Sequence, residues 1–127
     1  MKRILLVEDD PDIQMVTSLA LGSFGRFAVK VCGSAREALE SAGAFKPDVI
    51  LLDVVMPGMD GVRALRAFRR RPAFADVPVI FMTARVQPHE VERYQELGSA
   101  AVIAKPFDPA TLAETVRAIW NRHQCLS

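Results

Sequence analysis

The chain has 127 residues, about the size of one domain. Half of its residues are hydrophobic and 24% are charged, which is ordinary globular composition. Sixteen basic residues against fifteen acidic ones leave a net charge of +1, so no overall field favours nucleic acid. The few apolar residues after Met1-Lys2-Arg3 are too short a run for a signal peptide or a membrane span. Two cysteines make no disulfide framework, so we expect a cytoplasmic protein without membrane or nucleic-acid contacts.

Five strands are predicted from short, continuously apolar runs, the pattern of strands buried on both faces. In chain order these runs cover residues 4–7, 28–32, 49–52, 77–82 and 100–104. Between them the apolar residues recur at helical spacing, which predicts one helix after each strand.

The helix boundaries are predicted from capping residues and apolar stripes. The first helix is expected to run from Pro11 to Gly25, with Ile13, Val16, Ala20 and Phe24 on its apolar face. The second is expected to begin after an N-cap at residue 34 and to end just before residue 43. The last three are marked by apolar residues at 62 and 65, at 91, 94 and 97, and at 112, 116 and 119, the final helix running to about residue 123.

A strand–helix unit repeated five times predicts an α/β fold, with a parallel sheet covered by helices on both faces. No linker, low-complexity stretch or internal repeat interrupts the pattern. We therefore expect a single domain over residues 1–127, with a core over about 2–122 and a native start at Met1. Because these units use the whole chain, any output is expected to come from binding a partner.

Polar residues gather where the predicted strands end, and in an open parallel sheet those ends form the ligand-binding edge. The residues at these ends are Glu8-Asp9-Asp10, Asp53, Thr83 and Lys105-Pro106. Clustered carboxylates repel one another, and a hard divalent cation relieves that repulsion. Glu8, Asp9 and Asp53 suit Mg²⁺, whereas the lack of nearby histidine or cysteine argues against zinc.

An anion is predicted to join the metal at this edge. Lys105 would supply a positive charge and Thr83 a hydrogen bond to that anion. A phosphoryl group satisfies Mg²⁺, the lysine and the threonine together. Asp53, central among them, is the natural nucleophile to accept it.

Four segments of the chain together resemble the receiver domain of two-component response regulators, including the single-domain regulators of chemotaxis. They are ILLVEDDPDI at 4–13, LLDVVMPGMDG at 51–61, FMTA at 81–84 and AKPF at 104–107. The resemblance implies a flavodoxin-like sheet with strand order 2-1-3-4-5. It also implies that a histidine kinase or phosphotransfer protein phosphorylates Asp53, and that the resulting change of conformation controls a downstream protein.

The resemblance assigns roles to individual residues of the site. Asp9, Asp53 and the backbone carbonyl of Val55 are expected to hold Mg²⁺, with Glu8 acting mostly through a bound water. Asp10 lies one position beyond the family's acidic pair, so it ranks below Glu8 and Asp9.

The phosphoryl group itself is expected to contact Thr83 and Lys105, and the family commonly has a cis peptide bond between this lysine and Pro106. Val102 occupies a position that is aromatic in most receivers, so coupling is expected through packing near Thr83 or through another face. Arg85 and Val55, which lies two residues after Asp53, are expected to tune how long the phosphate lasts.

The favoured interpretation is a signalling module that catalyses only its own phosphorylation and dephosphorylation, as a monomer or weak dimer. An alternative is the receiver portion of a longer hybrid kinase or transcription factor. An Asp- and Mg²⁺-dependent phosphatase of the dehalogenase type would need a second Asp where Val55 stands. A flavodoxin-like cofactor carrier would need a phosphate-cradling loop, which Glu8-Asp9-Asp10 would oppose.

A basic run lies on the third predicted helix and at its exit, with arginines at 63, 66, 69, 70 and 71. Such a run is usually a solvated face, and the alternative is a docking surface for an acidic partner.

Overall fold

The computed structural model describes residues 2–84 and 86–126, in which five strands alternate with five helices. The strands are β1 (Arg3–Val7), β2 (Ala28–Cys32), β3 (Val49–Asp53), β4 (Val79–Thr83) and β5 (Ala101–Ala104). All neighbouring pairs are parallel, and the order across the sheet is β2-β1-β3-β4-β5. The predicted fold class and strand order are confirmed. β4 begins two residues later than predicted, after Pro78, which has no N–H to give to the ladder.

The helices are α1 (Pro11–Ser18), α2 (Ala35–Phe45), α3 (Gly61–Arg69), α4 (Pro88–Glu96) and α5 (Leu112–Leu126). The first three begin at side-chain N-caps, since carboxylate or hydroxyl oxygens of Asp10, Ser34 and Asp60 accept backbone N–H groups of the first turn. Two short turns complete the chain, a π-helical turn at Leu19–Phe24 and a 3₁₀ turn at Pro72–Phe74.

The first helical segment differs from its predicted apolar stripe. After Ser18 the helix widens into the π-helical turn, in which hydrogen bonds span five residues instead of four. This changes the phase of the later residues, so that Ala20 and Leu21 are buried while Phe24 is 75% exposed. The predicted apolar face was therefore wrong at Phe24. It was also wrong at Val16, which is 42% exposed, whereas the predicted end at Gly25 is confirmed.

Two helices run past their predicted ends, and in α2 side-chain packing outweighs the local stop signal. α2 passes through Gly43 to Phe45, and Lys46 then ends it with a left-handed φ of 55°. Phe45 packs against the core, and the Arg3 guanidinium donates to its carbonyl at 2.7 Å. α5 likewise extends three residues past the predicted end at residue 123.

The sheet has one core on each face, because successive side chains of a strand point to opposite sides. Leu5 and Val7 of β1 join the core beneath α2, α3 and α4, while Ile4 and Leu6 join the core beneath the π-helical turn and α5. This two-layer packing fixes the strands in register and brings their carboxyl ends to a common edge.

Candidate functional site

Three carboxylates meet at the carboxyl edge of the sheet, as the strand ends predict. Glu8 and Asp9 follow β1, and Asp53 is the last residue of β3. One oxygen from each lies within 4.8 Å of the other two. Glu8 is only 1% exposed and Asp53 5%, whereas Asp9 is exposed to solvent. The site thus combines two buried anions with one at its mouth.

Lys105, which follows β5, bridges the two buried carboxylates. Its Nζ lies 2.5 Å from Glu8 Oε1 and 3.3 Å from Asp53 Oδ2. Its backbone N–H donates to the Thr83 carbonyl at 2.9 Å, which ties the end of β4 to the segment after β5. The Lys105–Pro106 peptide bond is cis.

Burial and nearby charges together set the protonation of Glu8 and Lys105. Desolvation is the main cause that raises the pKa of Glu8, and the nearby Asp53 adds to it, while the hydrogen bond from Lys105 opposes both. Desolvation on its own would lower the pKa of Lys105, but the bond to Glu8 and the charge of Asp53 outweigh it and raise that pKa. The lysine therefore stays charged between the carboxylates.

The Asp53 carboxylate is oriented by the backbone around it. Its Oδ1 accepts the N–H of Val55 at 3.2 Å, while Oδ2 is the oxygen that faces Lys105. Thr83 is buried at the end of the neighbouring strand. Together with Val55 and Thr83, the three carboxylates and the lysine line a cavity of about 310 Å³. All the residues predicted for the site therefore lie around one cavity.

Asp10 has a structural role beside the site. Asp10 caps α1, since its Oδ1 accepts the N–H groups of Asp12 at 2.8 Å and Ile13 at 3.3 Å. Val102 lies beside Phe81 in the sheet register. Arg85 lies outside the described residues.

Sequence reasoning missed two residues that shape the site. Gln14 donates its side-chain amide to the Glu8 carbonyl at 2.5 Å, and no motif signals such a contact. A Cβ on Gly61 would lie 2.6 Å from the Asp53 carbonyl oxygen, so only glycine lets α3 start this close to β3. The glycine is visible in the sequence, but the close approach is a property of the fold.

The donor set fits a hard divalent cation. It consists of carboxylate oxygens, with no sulfur or imidazole ligand among the clustered groups. Burial is the main cause that raises the pKa of Glu8, and the repulsion from Asp53 that adds to it is the kind that such a cation relieves. Fold and site together define a doubly wound α/β domain with an acidic, lysine-bridged pocket at the carboxyl edge of its sheet.

The chain belongs to the response regulator receiver domain family, whose sequence model matches residues 4–117. It is 41% identical over 119 residues to the transcriptional regulatory protein CseB of Streptomyces coelicolor, an alignment that covers 94% of this chain and 49% of that protein. The resemblance inferred from the four segments is confirmed.

Solved structures give the same result. The chemotaxis protein CheY4 of Vibrio cholerae superposes with a TM-score of 0.87 at 30% identity, over 94% of this chain and 98% of that one. The receiver domain of a signal transduction histidine kinase from Syntrophus aciditrophicus superposes with a TM-score of 0.82 at 31% identity, over 96% and 92%.

These relatives place the same domain in three settings, a chemotaxis protein, a transcriptional regulator and a kinase. The chain spans about half the length of the curated relatives it matches. Within the described residues, no helix is both long and apolar enough to cross a bilayer. The chain is a response-regulator receiver domain, and nothing found supports the phosphatase alternative.

Proposed function

We propose that Asp53 accepts a phosphoryl group from a phosphohistidine of a histidine kinase or phosphotransfer protein, in a Mg²⁺-dependent reaction. The observation that supports this most is the buried Asp53 carboxylate, 3.3 Å from the Lys105 ammonium and clustered with Glu8 and Asp9. An anion held beside a cation, in the lining of an open cavity, is suited to attack phosphorus.

In the proposed reaction an Asp53 oxygen forms a bond to phosphorus as the donor's N–P bond breaks, and the donor imidazole keeps the electron pair. Lys105 exchanges its contact with Glu8 for a phosphoryl oxygen, and Thr83 donates its hydroxyl to another. Mg²⁺, held by Glu8, Asp9, Asp53 and the Val55 carbonyl, would supply the positive charge that offsets the gathered anions.

The surface beside the cavity supports a protein as the phosphoryl donor. An apolar groove of about 400 Å³ adjoins the cavity and includes Ile13, Val16 and Phe107. Met15 and Leu19, close to Val16 in the chain, are also exposed, at 62% and 52%. Contiguous exposed apolar residues are typical of interaction sites.

The wider setting is also a proposal. In this proposal residues 1–127 act as a single domain with a core over about 2–122, in the cytoplasm, as a monomer or weak dimer. The domain catalyses only its own phosphorylation and dephosphorylation, and it signals by binding a downstream protein. The alternative is the receiver portion of a longer regulator or hybrid kinase, which the half-length match to the curated relatives favours.

The test is incubation with acetyl phosphate and MgCl₂, followed by intact mass spectrometry. We expect the wild type to gain one base-labile phosphoryl group, and Asp53→Asn to gain none. Asp76→Asn is the matched control, since that carboxylate is exposed, does not line the cavity and should not alter the yield. Equal labelling of Asp53→Asn and the wild type, or Mg²⁺-independent labelling, would contradict the proposal.

A further inference from the structure

A second concave surface lies away from the acidic cavity, between α2 and the segment that joins β3 to α3. The groove measures about 620 Å³. Its apolar lining includes Leu39 of α2 with Pro57 and Met59 of the joining segment. Leu39 and Met59 are partly buried and pack against the core below, so the floor of the groove is fixed.

Two arginines and one glutamate, Glu40, stand at the rim of this groove. The Arg71 guanidinium donates to the Leu39 carbonyl at 2.5 Å, which holds it in place and leaves its other N–H groups available. Arg36 is highly exposed, and its contact with Glu40 is loose at 4.0 Å. Exposed pairs of this kind contribute little, so Arg36 can change partner at small cost.

Positive charge continues from the groove along α3. Residues 61–71 contain five arginines and no acidic residue. Arg63, Arg66 and Arg70 share the exposed side of the helix, spanning about 10 Å along its axis. In the part of the chain that the structure describes, none of these three forms an ion pair. The surface therefore has cations without partners beside an apolar groove.

The neighbouring helices limit which anion can reach this surface. α2 carries two glutamates against one arginine, and α4 carries three glutamates against one arginine. A nucleic-acid duplex has dense charge along its whole length and would meet these acidic flanks. A narrow acidic segment in the groove meets only Glu40 of these glutamates, and Arg36 already faces that carboxylate. Arginine binds carboxylates through paired N–H donors.

We propose that the groove between α2 and the β3–α3 segment, with the arginines of its rim and of α3, docks an acidic protein segment. An apolar anchor side chain of that segment fills the groove over Leu39 and Met59. Its carboxylates pair with Arg36 and Arg71 and continue along α3. This surface is separate from the phosphoacceptor cavity.

The test uses three fluorescein-labelled probes in anisotropy titrations with the unphosphorylated protein. One is a helical peptide with leucines on one face and glutamates beside them, one has serines in place of the leucines, and one is a short DNA duplex. We expect the leucine peptide to bind at least about 10-fold more tightly than the other two. Arg36→Gln/Arg71→Gln should weaken its binding about 10-fold, whereas Arg26→Gln/Arg122→Gln, with the same charge change on exposed residues elsewhere, should leave it within about twofold.

The single variant Arg36→Gln keeps the Arg71–Leu39 bond, so it tests the rim without altering the packing of the groove. Amide shifts at Leu39 and Met59 on titration with the leucine peptide would support the assignment. Wild-type affinity in folded Arg36→Gln/Arg71→Gln, or equal binding of the serine peptide, would overturn it. Tighter binding of the duplex, lost in the same variant, would overturn it in favour of nucleic acid.

Discussion

Replacing Lys105 with methionine removes the ammonium that bridges Glu8 and Asp53 while keeping most of the apolar stem. Both carboxylates are buried, at 1% and 5% exposure, and the ammonium lies 2.5 Å from one and 3.3 Å from the other. The variant therefore leaves two like charges close together and without a counter-charge. In the absence of Mg²⁺ we expect a marked loss of stability.

The size of the loss follows from two limits. Removing one partner of a buried ion pair costs about 3–5 kcal/mol. Proton uptake by Glu8, whose ordinary pKa is 4.5, caps that cost at about 3 kcal/mol at neutral pH, and less because burial already raises this pKa. We therefore expect Lys105→Met to lower the free energy of unfolding by about 2–3 kcal/mol at pH 7.

The pH dependence gives a further check. A raised carboxyl pKa means that the folded state holds its proton longer, so stability falls as pH rises from 4.5 through the folded-state pKa. Losing the lysine raises the pKa of Glu8 further, so the deficit of the variant should shrink between pH 7 and pH 5.

Urea unfolding in EDTA at both pH values measures this deficit, with Lys30→Met as a control at an exposed lysine. An unfolding free energy equal to that of the wild type at pH 7, or a deficit that does not change with pH, would refute the reasoning.

Three further predictions concern the framework, each measured by urea unfolding. Gly61→Ala should cost about 1–3 kcal/mol, because the new Cβ would meet the Asp53 carbonyl at 2.6 Å, and an unchanged midpoint would contradict this close approach. Burial acts to raise the pKa of Asp48, but two backbone N–H groups bind its carboxylate and lower that pKa. Asp48→Asn should therefore lower the free energy of unfolding by about 1 kcal/mol at neutral pH. This loss should disappear as the pH falls below 3.8, the ordinary pKa of the carboxyl group, and a loss that does not depend on pH would contradict the assignment. Arg69→Met should lower the free energy of unfolding by about 2 kcal/mol, because this guanidinium donates to three backbone carbonyls. The control variant Arg70→Met should lower it by under about 0.5 kcal/mol, and equal losses in the two variants would contradict the assignment.

The strands could be predicted from the sequence because each one is continuously apolar and ends in polar residues. β2 matches its predicted limits, and the other strands differ from theirs by one or two residues. The helix ends were harder, because tertiary contacts override local signals. Gly43 would stop an isolated helix, yet Phe45 packs against the core and holds the helix together for two more residues.

The π-helical turn after Ser18 could not be recognised from the spacing of apolar residues, and it changed which side of the segment is buried. Only the folded chain shows that Leu21, rather than Phe24, faces the core. A stripe drawn at regular helical spacing cannot detect one widened turn, since the extra residue alters the phase only after the turn.

The site's residues could be predicted because parallel topology brings strand ends together whatever the connecting segments do. The pairing of Lys105 with Glu8, closer than its approach to Asp53, could not be predicted. It depends on the relative depth of two carboxylates, and this is set by how the segment after β5 passes over the end of β4. The same holds for Gln14, whose contact depends on the angle at which α1 leaves β1.

The net charge of +1 conceals two regions of opposite charge that one continuous segment connects. Residues 53–71 run from the carboxylate of the acidic cavity to the last arginine of the groove rim. At their junction the Gly61 N–H donates to the Val54 carbonyl at 2.9 Å, and no side chain fits between α3 and the Asp53 backbone. This junction is close-packed, with no space for an added methyl group. The start of α3 therefore packs directly on the Asp53 backbone, and the arginines of the helix follow it on the same continuous segment.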